Sequence, residues 1–227
     1  MKKWIDHIKF FWYFSSNWNP RLAAFMLLQE IKGEKKYQIN TSAPIELINL
    51  TIKTGDLTKS SRYEAVNFFI LEALLQKMRA STNETSFTDL GCGKGRAMVV
   101  AAHYGFTKIK GIDFAKEVCV AAEENMKAVT RKLPAIQYTI FCDDVLNYTI
   151  QKDESVFFMF NPFNEEIIHA LLEKIEASIA KHPRTIYILY VSPKHIETFF
   201  EFEYEPIFRK RKLKWLDGVI LKKEIQA

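Results

Sequence analysis

From Ser86 onward the chain alternates between short apolar runs and amphipathic stretches, and it closes on two apolar runs with only a short link between them. No other feature constrains the fold as strongly. "SFTDLG" reads as a strand, and "GRAMVVAAHYG" as a helix closed by Gly105. "KIKGIDF" is a second strand, followed by a helix over about 116–130; "IQYTIFC" and "SVFFMFN" are the third and fourth strands. A helix over 165–181 stops near Pro183, "RTIYILYVS" is a fifth strand, and a short helix covers about 194–200. Strands separated by helices predict a mostly parallel sheet covered on both faces. The terminal runs, "YEPIFRKRKL" and "DGVILKKEI", leave no room for a crossover helix and are expected to pair antiparallel.

Ahead of this region a helix is predicted over about Arg62–Arg79. Ser61 and Glu64 form a capping box, and Val66, Phe69, Ile70, Leu74 and Met78 its buried stripe. Residues 36–60 read as loop with at most one short strand. The expected division is an aromatic, helical amino-terminal extension and loop over 1–60, then one α/β domain over 61–227. A chain of 227 residues suffices for one substantial core. Three cysteines without CxxC spacing suggest neither a disulfide framework nor a zinc knuckle, which fits a reducing cytoplasm. The longest early charge-free run has eleven residues, where a membrane-spanning helix needs roughly 20. No cleavable signal is evident. The net charge of +5 permits an anionic partner without demanding one.

The strongest local motif is "DLGCGKGR", Asp89 to Arg96, where a strand turns into a helix. Gly91, Gly93 and Gly95 let the backbone turn tightly and approach a ligand without a Cβ in the way. A P-loop needs GxxxxGK[ST], and Lys94 lacks that spacing. A dinucleotide fingerprint needs a glycine where Arg96 stands, and Asp89 would repel a pyrophosphate. A carboxylate there suits a cationic amine instead. Asp113 ends the second strand, where an acid can accept both hydroxyls of a ribose; capping the next helix is its plainer role. In "CDDV", Asp144 is placed to accept from an adenine amine. Asp143 is the lesser candidate or a helix cap, and Cys142 or Val145 an apolar wall. Amine, ribose and adenine in successive loops describe a nucleoside carrying an amino acid.

This pattern resembles that of the class I S-adenosylmethionine-dependent methyltransferases over about residues 61–227. The resemblance implies a Rossmann-like, seven-stranded sheet of order 3-2-1-4-5-7-6 with its last strand antiparallel, and S-adenosylmethionine as cofactor. It puts the glycine-rich first motif on Asp89, Gly91, Gly93 and Gly95, the ribose acid on Asp113 and the adenine-side acid on Asp144. "SRYE", "FTDLGCGKGR" and "FNPF" look most like a group of small bacterial methyltransferases with a faint likeness to the non-SET histone lysine methyltransferases. By that likeness Arg62 and Tyr63 close over the methionine end, with Arg62 on the ligand carboxylate; packing for Tyr63 and solvation for Arg62 are the competing roles. The resemblance supplies no acceptor.

"FNPF" ends the fourth strand, beside the first strand in that topology. The amide oxygen of Asn161 can accept a hydrogen bond from an attacking amine, and the Pro162 carbonyl can take a second N–H. Phe163 can form one wall for the substrate. The motif resembles the Asn-Pro-Pro-aromatic tetrad of amino-group methyltransferases but carries one proline fewer, so an amine acceptor is expected without nucleobase or glutamine specificity. Asn161 or Asn164 as a cap for the following helix is the structural alternative. Glu165, Glu166 and His195 are the candidate proton acceptors; no cluster has metal-ligand spacing.

Two segments suggest partners. In "WIDHIKFFWYFSSNW", Trp4, Ile8, Phe11 and Trp12 share a helical face flanked by lysines. Residues 4–18 therefore pack on the domain or a second subunit, cover the acceptor pocket, or lie in an anionic membrane surface. "RKRKLK", Arg209 to Lys214, is a positive cluster that on a strand splits between two faces, weak grounds for a nucleic-acid partner. A solvated edge strand explains it equally well. Two readings of the chain result: a cytoplasmic methyltransferase acting on a nitrogen of an unidentified acceptor, or a non-catalytic module of the same fold that recruits a partner or membrane through its aromatic amino terminus.

Overall fold

A computed structural model describes residues 11–12, 15–17, 19–39, 41, 65–160 and 163–225. In chain order the elements are α1 (Pro20–Tyr37), α2 (Phe68–Ser81), β1 (Ser86–Leu90), α3 (Arg96–His103), β2 (Lys108–Asp113), α4 (Lys116–Thr130) and β3 (Gln137–Cys142). A 3₁₀ turn (Val145–Asn147) leads to β4 (Val156–Phe160), α5 (Glu165–Lys181), β5 (Ile186–Val191), α6 (Ile196–Glu201), β6 (Glu205–Lys212) and β7 (Leu216–Lys223). The seven strands form one sheet in the order β3-β2-β1-β4-β5-β7-β6, with β7 antiparallel to both its neighbours. This is the expected topology.

The central strands are apolar throughout because both their faces are covered. Successive residues feed opposite cores. Phe158, Leu189 and Ile220 pack under α2, α3 and α4, while Phe157, Ile188 and Val219 pack under α5 and α6. The β3 edge is thinner, since only a 3₁₀ turn lies between β3 and β4, and Phe141 stays 38% exposed. Among the described residues no helix is long and apolar enough to cross a membrane.

One boundary differs from expectation. The helix predicted from Arg62 begins at Phe68, and its cap is Asn67, whose side chain accepts from the Phe69 N–H at 3.0 Å. Ser61 and Glu64 lie outside the described residues. Just before the cap, the Val66 carbonyl accepts from Arg96 Nη1 at 2.8 Å, which draws that segment away from a helical path. The buried stripe accordingly comprises Phe68, Ile70, Leu71, Leu74, Leu75 and Met78.

Helix α1 runs through part of the segment read as loop and ends at Tyr37. Asn19 caps it through the Leu22 N–H, Pro20 opens it, and Gln38 closes it in the left-handed conformation. Its buried face includes Gly33, where a Cβ would stand 2.2 Å from the Phe68 ring, so glycine is what lets α1 press onto α2. The same face buries Glu30, at 4% exposure, against Arg96, at 3%.

Candidate active site

The carboxyl edge of β1 breaks into the glycine loop because three residues there need left-handed backbone: Gly91, Gly93 and Gly95 have φ of 86°, 51° and 76°. The Gly91 and Cys92 N–H groups both donate to the Ile112 carbonyl at 2.9 Å, tying the loop to β2. A Cβ on Gly95 would meet that of Ala122 at 3.2 Å, so the loop also sits tightly on α4. Asp113 then fixes the middle of the loop. Its Oδ2 accepts from the Gly93 N–H at 2.9 Å and its Oδ1 from the Ala115 N–H at 3.0 Å. Each oxygen keeps accepting capacity for a further donor.

Asp89 faces the same place. It is 2% exposed, and among the described residues no hydrogen bond reaches its carboxyl. Burial first, and the neighbouring Asp113 charge second, push its carboxyl well above the usual carboxylate range. Burial also raises Asp113, opposed by the N–H groups of Ala115, Gly93 and Phe114. Two carboxyls therefore meet beside the glycine loop, and a cation would relieve the first of them. Burial first, and the nearby Asp113 and Asp89 charges next, push the Cys92 thiol beside them up, which disfavours its thiolate.

Arg96, the first residue of α3, is the principal feature that sequence reasoning missed. It binds Glu30 through Nη1 at 2.9 Å and through Nη2, donates from Nε to Thr41 Oγ1 at 2.7 Å, and lies 4.2 Å from the Phe68 ring centroid. The amino-terminal helix is thus anchored to the residue that follows the glycine loop. A glutamate on the apolar face of a helix was the only signal that could have found it.

At the end of β3, Asp144 accepts from the Leu146 N–H at 2.8 Å and caps the 3₁₀ turn, so the cap role weighed for Asp143 belongs to Asp144. Asp143 accepts from the Asp144 N–H and from Asn147 Nδ2. Both acids, with Phe141 and Tyr148, line a cavity of about 470 Å³ beside β3. Val145 is buried and Cys142 exposed.

On the other side of β1, Phe158 of β4 pairs with Asp89, so β4 ends two residues later, level with the glycine loop. Asn161 and Pro162 follow and lie outside the described residues, as do Arg62 and Tyr63. Phe163 packs against the core under α5. Asn164 caps α5 by accepting from the Ile167 N–H at 3.1 Å, which leaves that structural task with Asn164. Glu165 accepts from Thr198 Oγ1 at 3.4 Å. The His195 backbone N–H donates to the Tyr190 hydroxyl. Among the described residues no group of His, Cys and acidic side chains could hold a metal ion.

The sheet order, the antiparallel last strand and the glycine loop at the carboxyl edge of β1 together decide the architecture. The fold is that of the class I S-adenosylmethionine-dependent methyltransferases. PH1948 from Pyrococcus horikoshii, a candidate RNA methyltransferase, superposes with a TM-score of 0.57 at 16% identity over 88% of this chain and 98% of that one. An O-methyltransferase from Thermotoga maritima gives 0.51 at 17% identity, over 73% and 69%. The magnesium protoporphyrin IX methyltransferase of Synechocystis PCC 6803, with its donor bound, gives 0.50 at 14% identity, over 96% and 95%. No family model and no curated protein matches the sequence. Within the class I methyltransferase fold, Asp89, the three glycines and Asp113 stand at the carboxyl edge of β1 and β2.

Proposed function

We propose that this protein is an S-adenosylmethionine-dependent methyltransferase that acts on an acceptor nitrogen. The observation that carries the reading is the buried Asp89 carboxyl, set beside Asp113 under the glycine loop without a donor among the described residues. The residues fit the donor. Asp89 takes its ammonium group, Asp113 its ribose hydroxyls and Asp144 its adenine amine; Arg62 and Tyr63 cover the methionine end. When bound, the donor supplies a methyl group on a sulfonium: the acceptor lone pair forms the new bond as the carbon–sulfur pair leaves on sulfur.

Asn161 and Pro162, the next two residues in the chain after β4, would orient the attacking amine through two carbonyl oxygens. Phe163 forms a wall for the acceptor. The partial match of "FNPF" to the Asn-Pro-Pro-aromatic tetrad of amino-group methyltransferases supports an amine acceptor. Incubation of cell extract with labelled donor and pure protein, read by mass spectrometry, tests this reading; label confined to oxygen or sulfur products contradicts it. Once an acceptor is in hand, Asn161→Ala is expected to leave donor affinity unchanged and to lower kcat about tenfold, the value of one lost hydrogen bond. Unchanged turnover removes Asn161 from the mechanism.

A further inference from the structure

Strand β6 runs parallel to β5, because β7 is antiparallel to both. The β6–β7 turn therefore projects from the same edge of the sheet as the glycine loop. Val191, the last residue of β5, pairs with Gly218, and the turn lies just beyond that level. By the strand order β7 and β6 stand three and four strands from β1, roughly 14 and 19 Å along the edge.

The ribbon carries Arg209, Lys210, Arg211, Lys212 and Lys214 against Asp217. Asp217 is held by Arg209 at 2.6 and 3.0 Å and by Arg211 at 3.2 Å, which fixes two guanidinium groups on one face. Lys210 and Lys212 point to the other face, over the rings of Phe69 and Phe25. Cations on one face of a strand recur about every 6.8 Å, the order of the phosphate step in an extended single strand. At the tip Leu213 and Lys214 both adopt left-handed backbone, φ 53° and 62°, without a glycine to ease it. Positive φ at successive residues is what a tight hairpin turn requires. The turn leaves the Trp215 indole 54% exposed. A second indole, Trp12, is 65% exposed, and its neighbour Phe11 packs in the small cluster that includes Leu216.

We propose that the β6–β7 ribbon is the docking surface for a single-stranded nucleic acid, its cations on the phosphates and Trp215 stacked on a base. Electrostatic tracking combined with base–aromatic stacking is how single strands are held without sequence preference. The apolar groups of the ribbon are single and interleaved with cations, unlike the continuous apolar face that seats a helix in a bilayer interface. The docking does not rest on the methyltransferase reading.

The test is fluorescence anisotropy of a short labelled single-stranded RNA of mixed sequence, with the full chain and no donor. Wild type is expected to bind with a salt-dependent affinity. Lys212→Glu combined with Lys214→Glu is expected to weaken binding at least about tenfold and to flatten the slope of log affinity against log salt by roughly 1.4, because two phosphates no longer meet a cation. Trp215→Ala is expected to weaken binding roughly fivefold or more without changing that slope. All three proteins should keep the same melting temperature and the same donor affinity by calorimetry. Absence of RNA binding by wild type, or equal binding by the charge-reversed variant, overturns the proposal. Co-sedimentation with phosphatidylserine vesicles in place of RNA binding assigns the surface to a membrane and overturns it as well. RNA binding with no donor uptake leaves the docking surface standing and removes the methyltransferase reading.

Discussion

Glu30→Ala is expected to destabilise the protein by about 3–5 kcal/mol, since it strands the Arg96 guanidinium in the interior without its counter-charge. Both side chains are almost wholly buried, and the pair joins α1 to the first turn of α3. For a chain of this size the loss corresponds to a fall in Tm of roughly 10 °C. Glu30→Gln keeps one acceptor for Arg96 and should lie between the variant and wild type. The effect reaches the site, because the residue before Arg96 is Gly95 and the Arg96 side chain also holds Thr41 and the Val66 carbonyl. Donor affinity should therefore fall with stability. Thermal denaturation checks this directly; an unchanged Tm in Glu30→Ala means the pair does not organise the amino-terminal helix.

Asp89→Asn is expected to act in opposite directions on binding and on stability. Loss of the charge-assisted bond to an ammonium group removes roughly 1.5–3 kcal/mol, or about tenfold to a hundredfold in donor affinity. The ligand-free protein should gain stability at neutral pH, seen as a rise in Tm. The sign follows from the raised carboxyl of Asp89. A group whose folded pKa exceeds its unfolded value gives stability that is complete below the unfolded value and lost as pH rises through the folded one. Asparagine has no such loss. Donor binding runs the other way: the ammonium group selects the ionised carboxylate, so wild-type affinity should rise with pH through that raised pKa. The rise ends as the ligand amine deprotonates near about 8. Calorimetry in two buffers of different ionisation heat should show proton release on binding by wild type and none by Asp89→Asn. Equal proton release by both proteins contradicts the role given to Asp89.

Most of the fold is legible in the sequence because its signals are local. The helices over 116–130 and 165–181, the strand runs and the closing ribbon follow from periodicity and from the lack of room for a crossover. Asp89 and Asp113 meet because each belongs to a strand ending at the same edge, which topology alone implies. What stayed illegible depends on distant partners. The late start of α2 and the burial of Glu30 both come from Arg96, whose partners lie 30 and 66 residues away in the chain. Asp143 and Asp144 are adjacent acids with the same chemistry; only the turn after β3 decides that Asp144 is the cap. In the sequence the ribbon is a charge run split between two faces. Its place on the glycine-loop edge, and the exposure of Trp215 beside it, emerge only when β7 is paired with β5.

The most direct test of a donor in the crevice at β1 and β2 is calorimetric titration of the full chain with S-adenosylmethionine and with its demethylated product. Saturable one-to-one uptake of both, lost or strongly weakened in Asp113→Ala, is the expected result. A folded protein that takes up neither ligand at about millimolar concentration contradicts the placement of a donor between Asp89 and Asp113.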